Sequence, residues 1–364
     1  MISFQPTEDQ TLVVETIRRF VNERVVKTRH DSDESRQLPA NLVKEGWGLG
    51  LLAGWVPEDL GGLGEEHSMV SGALYAEELA AGDLSLALHL LTPALAGLPI
   101  ALYGTAEQKE RWLPALAGDD FPHLTAAWGE SHWDFDPLTP RTLATLQDDK
   151  YVLNGHKAIV PLAEDAELIL VYATEAGQPQ VFLVEKDAPG LKISPRERNM
   201  GLNALATYEV ILENCTVPTS ARLGGEQGAD VTRLLAYSRV GLGGLAVGLA
   251  RSAHAYAMNY AKERQAFGRP IAQFQSIAFM LAEMAWEVDA ARLMVLEAAW
   301  NLDRGHDGLS QSALAKIYSD EMALMVADRS VQILGGHGYI REHPVEGFLR
   351  NARSFVLING LGMI

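Results

Sequence analysis

Helical periodicity at both ends of the chain and a β-rich middle predict a multi-domain α+β fold: an N-terminal all-α domain, a middle antiparallel β domain and a C-terminal four-helix bundle. Two observations carry this expectation. Apolar residues recur every three to four positions before Phe121 and after Val231. Between them lie short β-branched and aromatic runs, divided by Asn-Gly, Gly-Gln-Pro and Pro-Gly turns. The expected domains are residues 1–121, 122–222 and 223–364.

In chain order, Thr7 and Gln10 have the spacing of a capping box, and Leu12, Val13, Ile17 and Phe20 then repeat with helical period. The loop Pro57-Glu58-Asp59-Leu60-Gly61-Gly62-Leu63-Gly64 interrupts the helices, and Thr105-Ala106-Glu107-Gln108 caps another before Trp112 and Leu113. Strands are expected at Tyr151-Val152-Leu153, Leu168-Ile169-Leu170-Val171-Tyr172 and Val181-Phe182-Leu183-Val184. Glu226 to Asp230 reads as a linker. Beyond it, Ile277, Met280, Leu281, Met284, Val288, Ala291 and Val295 fall on one helical face, and a second long helix is expected from roughly Ser310 to Leu334.

The 364 residues include 48% hydrophobic and 21% charged residues, a composition that buries a large core and does not indicate disorder. A formal net charge of -17 argues against a nucleic-acid partner, which would need clustered cations. A smaller anion would have to be held locally, by arginines, helix amino ends and backbone amides. The single cysteine, Cys215, excludes an internal disulfide and fits a reducing cytoplasm. Met1 to Pro6 lacks the pattern of a secretory signal, and no uninterrupted apolar run of membrane-spanning length is expected. The histidines His89, His123, His132, His254 and His337 are scattered without metal-ligand spacing, so no metal is expected. Trp286 and Trp300 read as core or interface fill.

Near the carboxyl end, Val331-Gln332-Ile333-Leu334-Gly335-Gly336-His337-Gly338-Tyr339-Ile340-Arg341-Glu342 leads through Pro344-Val345-Glu346 and Arg350 to Ile358-Asn359-Gly360-Leu361. This run resembles the signature of the acyl-CoA dehydrogenase family. So does Arg264-Gln265-Ala266-Phe267-Gly268 followed by Gln275, and further weak matches at Pro57 to Gly64, Asn154-Gly155-His156-Lys157 and Cys215-Thr216-Val217-Pro218 fall in the family's order. The resemblance covers essentially the whole chain. It implies FAD as cofactor, an acyl-CoA or acyl-carrier thioester as substrate, an electron-accepting flavoprotein as partner, and a homodimer or homotetramer.

Carried over residue by residue, the resemblance assigns Arg264, Phe267, Gln275, Gln332, Gly335 and Gly336 to FAD: Arg264, Gln332 and the glycines to its phosphates, Phe267 to the adenine end and Gln275 to further polar contacts. Glu130, Val160 and Pro161 occupy the family's flavin-ring positions, although only Glu130 matches its usual residue. Ser238 and Gly360 fall at substrate-lining positions, and Arg239 either stabilises negative charge or pairs with a buried carboxylate. On physical grounds alone, Arg264 can also be read as a solvated helix-end residue, and the glycines without their flanking residues read as a helix cap.

Asn359 stands where the family usually places its glutamate base. Desaturating an acyl thioester requires a group that takes the α proton, and a neutral amide has no lone pair of the needed basicity. The Asn359 backbone N–H can still polarise a thioester carbonyl. The alternative position for the glutamate, in Leu235-Ala236-Tyr237-Ser238-Arg239, holds no carboxylate, and Glu130, Asp134 and Asp136 are nearby acids that could substitute as base but are expected to be solvated. Leu86, His89 and Leu90 read either as pocket liners or as core. The expected function is therefore FAD-dependent α,β-desaturation of an acyl thioester with hydride transfer to flavin N5 and an unidentified base. Two alternatives stand beside it: a non-catalytic subunit of a hetero-oligomer, and a flavin oxidase or monooxygenase on the same scaffold.

Overall fold

The computed structural model describes residues 5–363, so the amino-terminal Met1 to Phe4 portion of the signal-peptide reading, and Ile364, lie outside the described residues. Helix α1 (Glu8–Phe20) starts where the capping box requires. The Thr7 hydroxyl accepts from Gln10 N–H at 3.2 Å, and the Gln10 side chain accepts from Thr7 N–H at 2.9 Å. A π-helical turn, Val21–Val25, joins it to α2 (Val26–Ser35). Then follow α3 (Ala40–Trp47), α4 (Met69–Gly82), α5 (Leu84–Leu91), α6 (Ala94–Tyr103) and α7 (Ala106–Trp112), the last opened by the Thr105–Gln108 capping box.

Contrary to the expectation from sequence, Leu84–Tyr103 is long and apolar enough to cross a membrane, with mean hydropathy 1.7. It is nevertheless broken into α5 and α6 at Thr92-Pro93, and 89% of that window is buried inside the fold. Packing against the protein interior accounts for its composition.

The middle sheet contains β1 (Leu124–Ala127), β2 (Leu143–Gln147), β3 (Lys150–Pro161), β4 (Leu168–Glu175), β5 (Gln178–Glu185), β6 (Leu191–Ile193) and β7 (Thr207–Pro218). Its order is β1-β4-β2-β3-β7-β6, with β5 on the other side of β4. Most pairs are antiparallel, as expected, but β1 and β2 each run parallel to β4, because neither is joined to it by a hairpin: β2 and β3 follow β1, and β3 follows β2, before the chain reaches β4. The β3–β7 register shifts between Lys157 and Val160, where Ile159 has φ +56°. A β-branched residue in that region is strained and re-aims the strand end.

The final domain comprises α8 (Val231–Glu263), a β8–β9 hairpin (Gln265–Ala266 and Arg269–Pro270), α9 (Gln275–Asp303), α10 (Leu309–Leu334), α11 (Gly336–Tyr339) and α12 (Val345–Ala352). Three long helices thus pack together, and the fourth is the short α12 against α8 and α10. From the expected apolar face of α9, Leu281, Met284, Val288, Ala291 and Val295 are buried.

Helix α4 docks on this bundle through buried ions that sequence periodicity did not reveal. Glu77 binds Arg251 at 2.5 Å and Arg292 at 2.7 Å, while Glu78 binds Arg18 at 2.7 Å and Arg251 at 2.8 Å. The helices approach closely enough that a methyl group on Gly248 would fall on the Glu77 carbonyl oxygen. Gly248→Ala is expected to lower stability by about 1–2 kcal/mol, overpacking outweighing the helix-propensity gain of about 1 kcal/mol. Thermal unfolding checks this.

Candidate functional site

Two surfaces bring the assigned residues together: one at the far end of α8, the other where the three domains meet. At the first, Arg264 ends α8, its backbone N–H bonded to the Tyr260 carbonyl at 2.8 Å and its carbonyl accepting from Ile271 N–H at 2.8 Å. Its exposed guanidinium makes no hydrogen bond or ion pair among the described residues. Phe267, with φ +52°, is held at the hairpin tip 96% exposed, and Gln275 is exposed at the first residue of α9.

The other phosphate candidates lie at the end of α10. Gln332 is exposed, and a methyl group on either Gly335 or Gly336 would meet nothing within 4 Å. Gly335, at φ +59°, turns the chain out of the helix. Gly338 differs, since a methyl there would fall on the Val331 carbonyl oxygen, and its role is packing. Free guanidinium, open glycine backbone and exposed amides form a donor set suited to a pyrophosphate, and they stand on open surface where a second chain has access.

At the domain junction, Glu130 is not a solvated loop acid. Its Oε1 accepts from Lys157 Nζ at 2.7 Å, Thr142 Oγ1 at 2.6 Å and Thr142 N–H at 2.9 Å. Its Oε2 accepts from Arg141 N–H at 2.7 Å and lies 2.9 Å from His132 Nε2. Burial alone would raise its pKa, but the Lys157 charge and the hydrogen bonds from Lys157 and Thr142 hold it at about 2. Lys157 is fully buried; desolvation lowers its pKa to about 8, against the pull of Glu130, so both are charged at neutral pH. Every lone pair that Glu130 offers is thus occupied by its own chain.

Val160 and Pro161 are buried at the end of β3, and the Pro161 carbonyl accepts from Thr125 Oγ1 at 2.7 Å. An aromatic pair nearby in the same sheet was not legible from sequence. Trp128 stacks on Tyr172 with centroids 3.8 Å apart and planes 5° from parallel, and its indole N–H donates to Pro137 O at 3.0 Å. Gly360, at φ +88°, packs on this indole: a methyl there would lie 2.7 Å from Trp128 Cβ. Only glycine fits that turn and that contact.

Asn359 is half-buried, and neither its side chain nor its backbone N–H has a hydrogen-bond partner among the described residues. Two residues past Gly360, Gly362 packs against Leu242 of α8, and four residues before Asn359 the Phe355 carbonyl accepts from Lys316 Nζ at 2.9 Å. Lys316 also pairs with Asp320 at 2.5 Å, one turn along α10. Burial lowers the Lys316 pKa against the opposing charge of Asp320, and burial raises that of Asp320 against Lys316.

Arg239, on α8, completes the junction. It is half-buried, it feels the charges of Asp136 and Lys316, and it forms no ion pair or hydrogen bond among the described residues. Burial lowers its pKa, with Asp136 opposing. Asp136 stands beside Pro137, the acceptor of the Trp128 indole. Its neighbour Ser238 is fully buried, with a hydroxyl that has no partner. Leu86 and Leu90 are buried, and burial holds His89 at a pKa of about 4, hence neutral. Among the described residues no group of three or more His, Cys, Asp or Glu is arranged to hold a metal ion.

Comparison with known proteins agrees with this architecture. The N-terminal, middle and C-terminal domain models of acyl-CoA dehydrogenase match residues 7–120, 125–215 and 227–362. The chain is 36% identical over 366 residues to a benzylmalonyl-CoA dehydrogenase of Aromatoleum aromaticum, covering 99% of this chain and 96% of that one. It is 32% identical over 367 residues to the caffeyl-CoA reductase-Etf complex subunit CarC of Acetobacterium woodii, covering 98% and 96%. The butyryl-CoA dehydrogenase structure from Megasphaera elsdenii superposes with a TM-score of 0.89 at 30% identity, over 100% of this chain and 96% of that one. With three domain models matched in order and relatives aligned from end to end, this chain belongs to the acyl-CoA dehydrogenase family of oxidoreductases.

Proposed function

We propose that the chain binds FAD and oxidises an acyl thioester by α,β-desaturation, with no carboxylate at the usual base position. Members of this family bind FAD, and bound FAD would supply the hydride acceptor, N5. Arg264, Gln332, Gly335 and Gly336 would hold its pyrophosphate, with Phe267 and Gln275 at the adenine end; Val160 and Pro161 would border the ring. The unpartnered N–H of Asn359 would polarise the thioester carbonyl, with Gly360 as its turn and Ser238 and Arg239 lining the substrate side.

The single observation that carries this reading is the unpartnered backbone N–H at Asn359, on a segment that the buried Lys316 holds through the Phe355 carbonyl. Purified protein is expected to be yellow, and its flavin to bleach on anaerobic addition of an acyl-CoA thioester. Colourless protein that takes up no FAD on reconstitution would overturn the reading. Arg264→Ala is expected to weaken FAD retention about tenfold to a hundredfold, the worth of a charge-assisted contact. Cofactor occupancy after dialysis measures it.

By likeness to the relative from an Etf complex, an electron-accepting flavoprotein is the proposed partner. A homo-oligomer is also proposed, because Phe279, Trp286 and Leu293 repeat every seven residues along α9 yet stay exposed, Trp286 by 60%. One observation favours a second reading, a non-catalytic subunit: the indole of Trp128 is packed on Gly360, beside the position a base would need. Co-purification with a glutamate-bearing homologue supports that alternative, and turnover by the lone chain excludes it.

A further inference from the structure

We infer that a second ligand site lies in the seam between α2, α5 and α12, and that it takes a small apolar carboxylic acid whose carboxylate is held by Arg29. The seam encloses a cavity of about 190 Å³, and no residue assigned above to FAD or to the thioester lines it. Benzene fits a cavity of about 150 Å³, so the space suits a body of that size with one carboxylate added. Val26 of α2, Ala204 of the loop before β7, Pro344 and Phe348 give the cavity an apolar side.

Arg29 supplies the charge. Its guanidinium lies across the Phe348 ring, with Cζ 4.7 Å from the centroid, and Nη1 donates to the Gly82 carbonyl at 3.3 Å. Nε and Nη2 have no hydrogen-bond partner among the described residues, and that free edge matches the two oxygens of a carboxylate. Arg29 is half-buried, and burial lowers its pKa with the Asp83 charge opposing, so an anion that reaches it replaces hydration already lost. Of the three arginines that line the cavity, it alone forms no ion pair among the described residues. Arg341 pairs with Asp33 at 2.5 Å, and Arg350 pairs with Asp33 at 2.6 Å and with Glu346 at 2.7 Å.

The remaining polar groups of the cavity divide unevenly, with acceptors committed and donors left over. Asp33 and Glu346 are neutralised by those arginines, and Asn203 also donates to Asp33 at 3.0 Å. Asp83 caps α5 by accepting from Leu86 N–H at 2.8 Å, and burial raises its pKa against that bond and the Arg29 charge, which favours the neutral acid. Glu342 is exposed at the rim. On the donor side, the Ser85 hydroxyl has no partner among the described residues, and Asn351 uses its oxygen to accept from Leu202 N–H while its NH2 is unbonded. The Tyr256 hydroxyl lies 2.8 Å from His343 Nδ1; donating there, it puts the proton of the neutral ring on the unbonded Nε2. Unused donors in a partly buried space are costly, and what would satisfy them beside a lone guanidinium is an anionic acceptor. One such cation against an apolar side favours a monocarboxylate over a phosphate dianion.

The test is calorimetry of the purified full chain with benzoate, with benzamide as its uncharged counterpart of the same shape, and with inorganic phosphate. Benzoate is expected to bind once per chain, about tenfold or more tightly than benzamide and more tightly than phosphate, and saturating butyryl-CoA is expected to leave that binding unchanged. Equal affinity for benzoate and benzamide overturns the inference, as does no benzoate binding up to about 10 mM. Tighter binding of phosphate overturns the carboxylate assignment, and displacement of benzoate by butyryl-CoA would place it in the thioester pocket instead. These comparisons use the native protein and need no variant to fold. Arg29→Gln is then expected to erase the preference for benzoate and Arg29→Lys to keep part of it; an undiminished preference in Arg29→Gln also counts as refutation. The site stands apart from the thioester reading, so failure of that reading in the flavin experiments leaves the benzoate comparison to decide this one.

Discussion

Asn359→Glu is expected to raise oxidation of plain acyl-CoA thioesters by about 10²–10⁴-fold, the usual contribution of a positioned general base. The backbone there is already set. Gly360 turns at φ +88° against Trp128, and Lys316 fixes the segment through the Phe355 carbonyl. Asn359 has no chain partner to be lost on replacement, so the new carboxylate enters without breaking a hydrogen bond. Anaerobic flavin reduction with an acyl-CoA thioester measures the gain. No gain with flavin retained would count against Asn359 standing at the reacting end of the substrate.

Lys157→Met is expected to cost about 3–5 kcal/mol of stability, the largest loss predicted for a single replacement. Lys157 is wholly buried and holds both Glu130 and the Trp128 carbonyl, the latter at 3.2 Å. Removing the cation strands a buried carboxylate that no solvent reaches. Glu130→Gln in the same background is expected to recover part of the loss, because it removes the stranded charge. Chemical denaturation measures both.

The pair also sets an acid limit. Glu130 has a folded pKa of about 2 against an ordinary 4.5, so its contribution is complete above pH 4.5 and is lost as the pH falls toward 2. Glu78 and Asp33, also held below their usual values by partnered arginines against the opposing effect of burial, add to the same acid-side loss. Unfolding followed between pH 5 and 2 is expected to show this decline, and Lys157→Met to flatten it.

Much of the fold was legible because local signals dominate it. Thr7 and Thr105 announce helix starts through their own hydroxyls, and the buried face of α9 follows from a 3.6-residue period. The Arg264 and Gly335-Gly336 surfaces were legible for a related reason: a short motif keeps its side chains or bare backbone together over a few residues. The junction was not. Glu130 reads in sequence as one acid among Asp134 and Asp136, and only the approach of Lys157 from β3 and Thr142 from β2 turns it into a buried ion.

By itself, then, the sequence determined the α, β, α order, the helix caps, the family and the amide at position 359, because each is written in adjacent or periodic residues. Tertiary structure decided which charges are committed and which are left over. Glu77, Glu78, Glu130 and Lys316 find partners far away in the chain, whereas Arg239 finds none among the described residues. Whether a charged side chain is a strut or a binding group depends on what crosses its path in space, and separation along the chain carries no record of that.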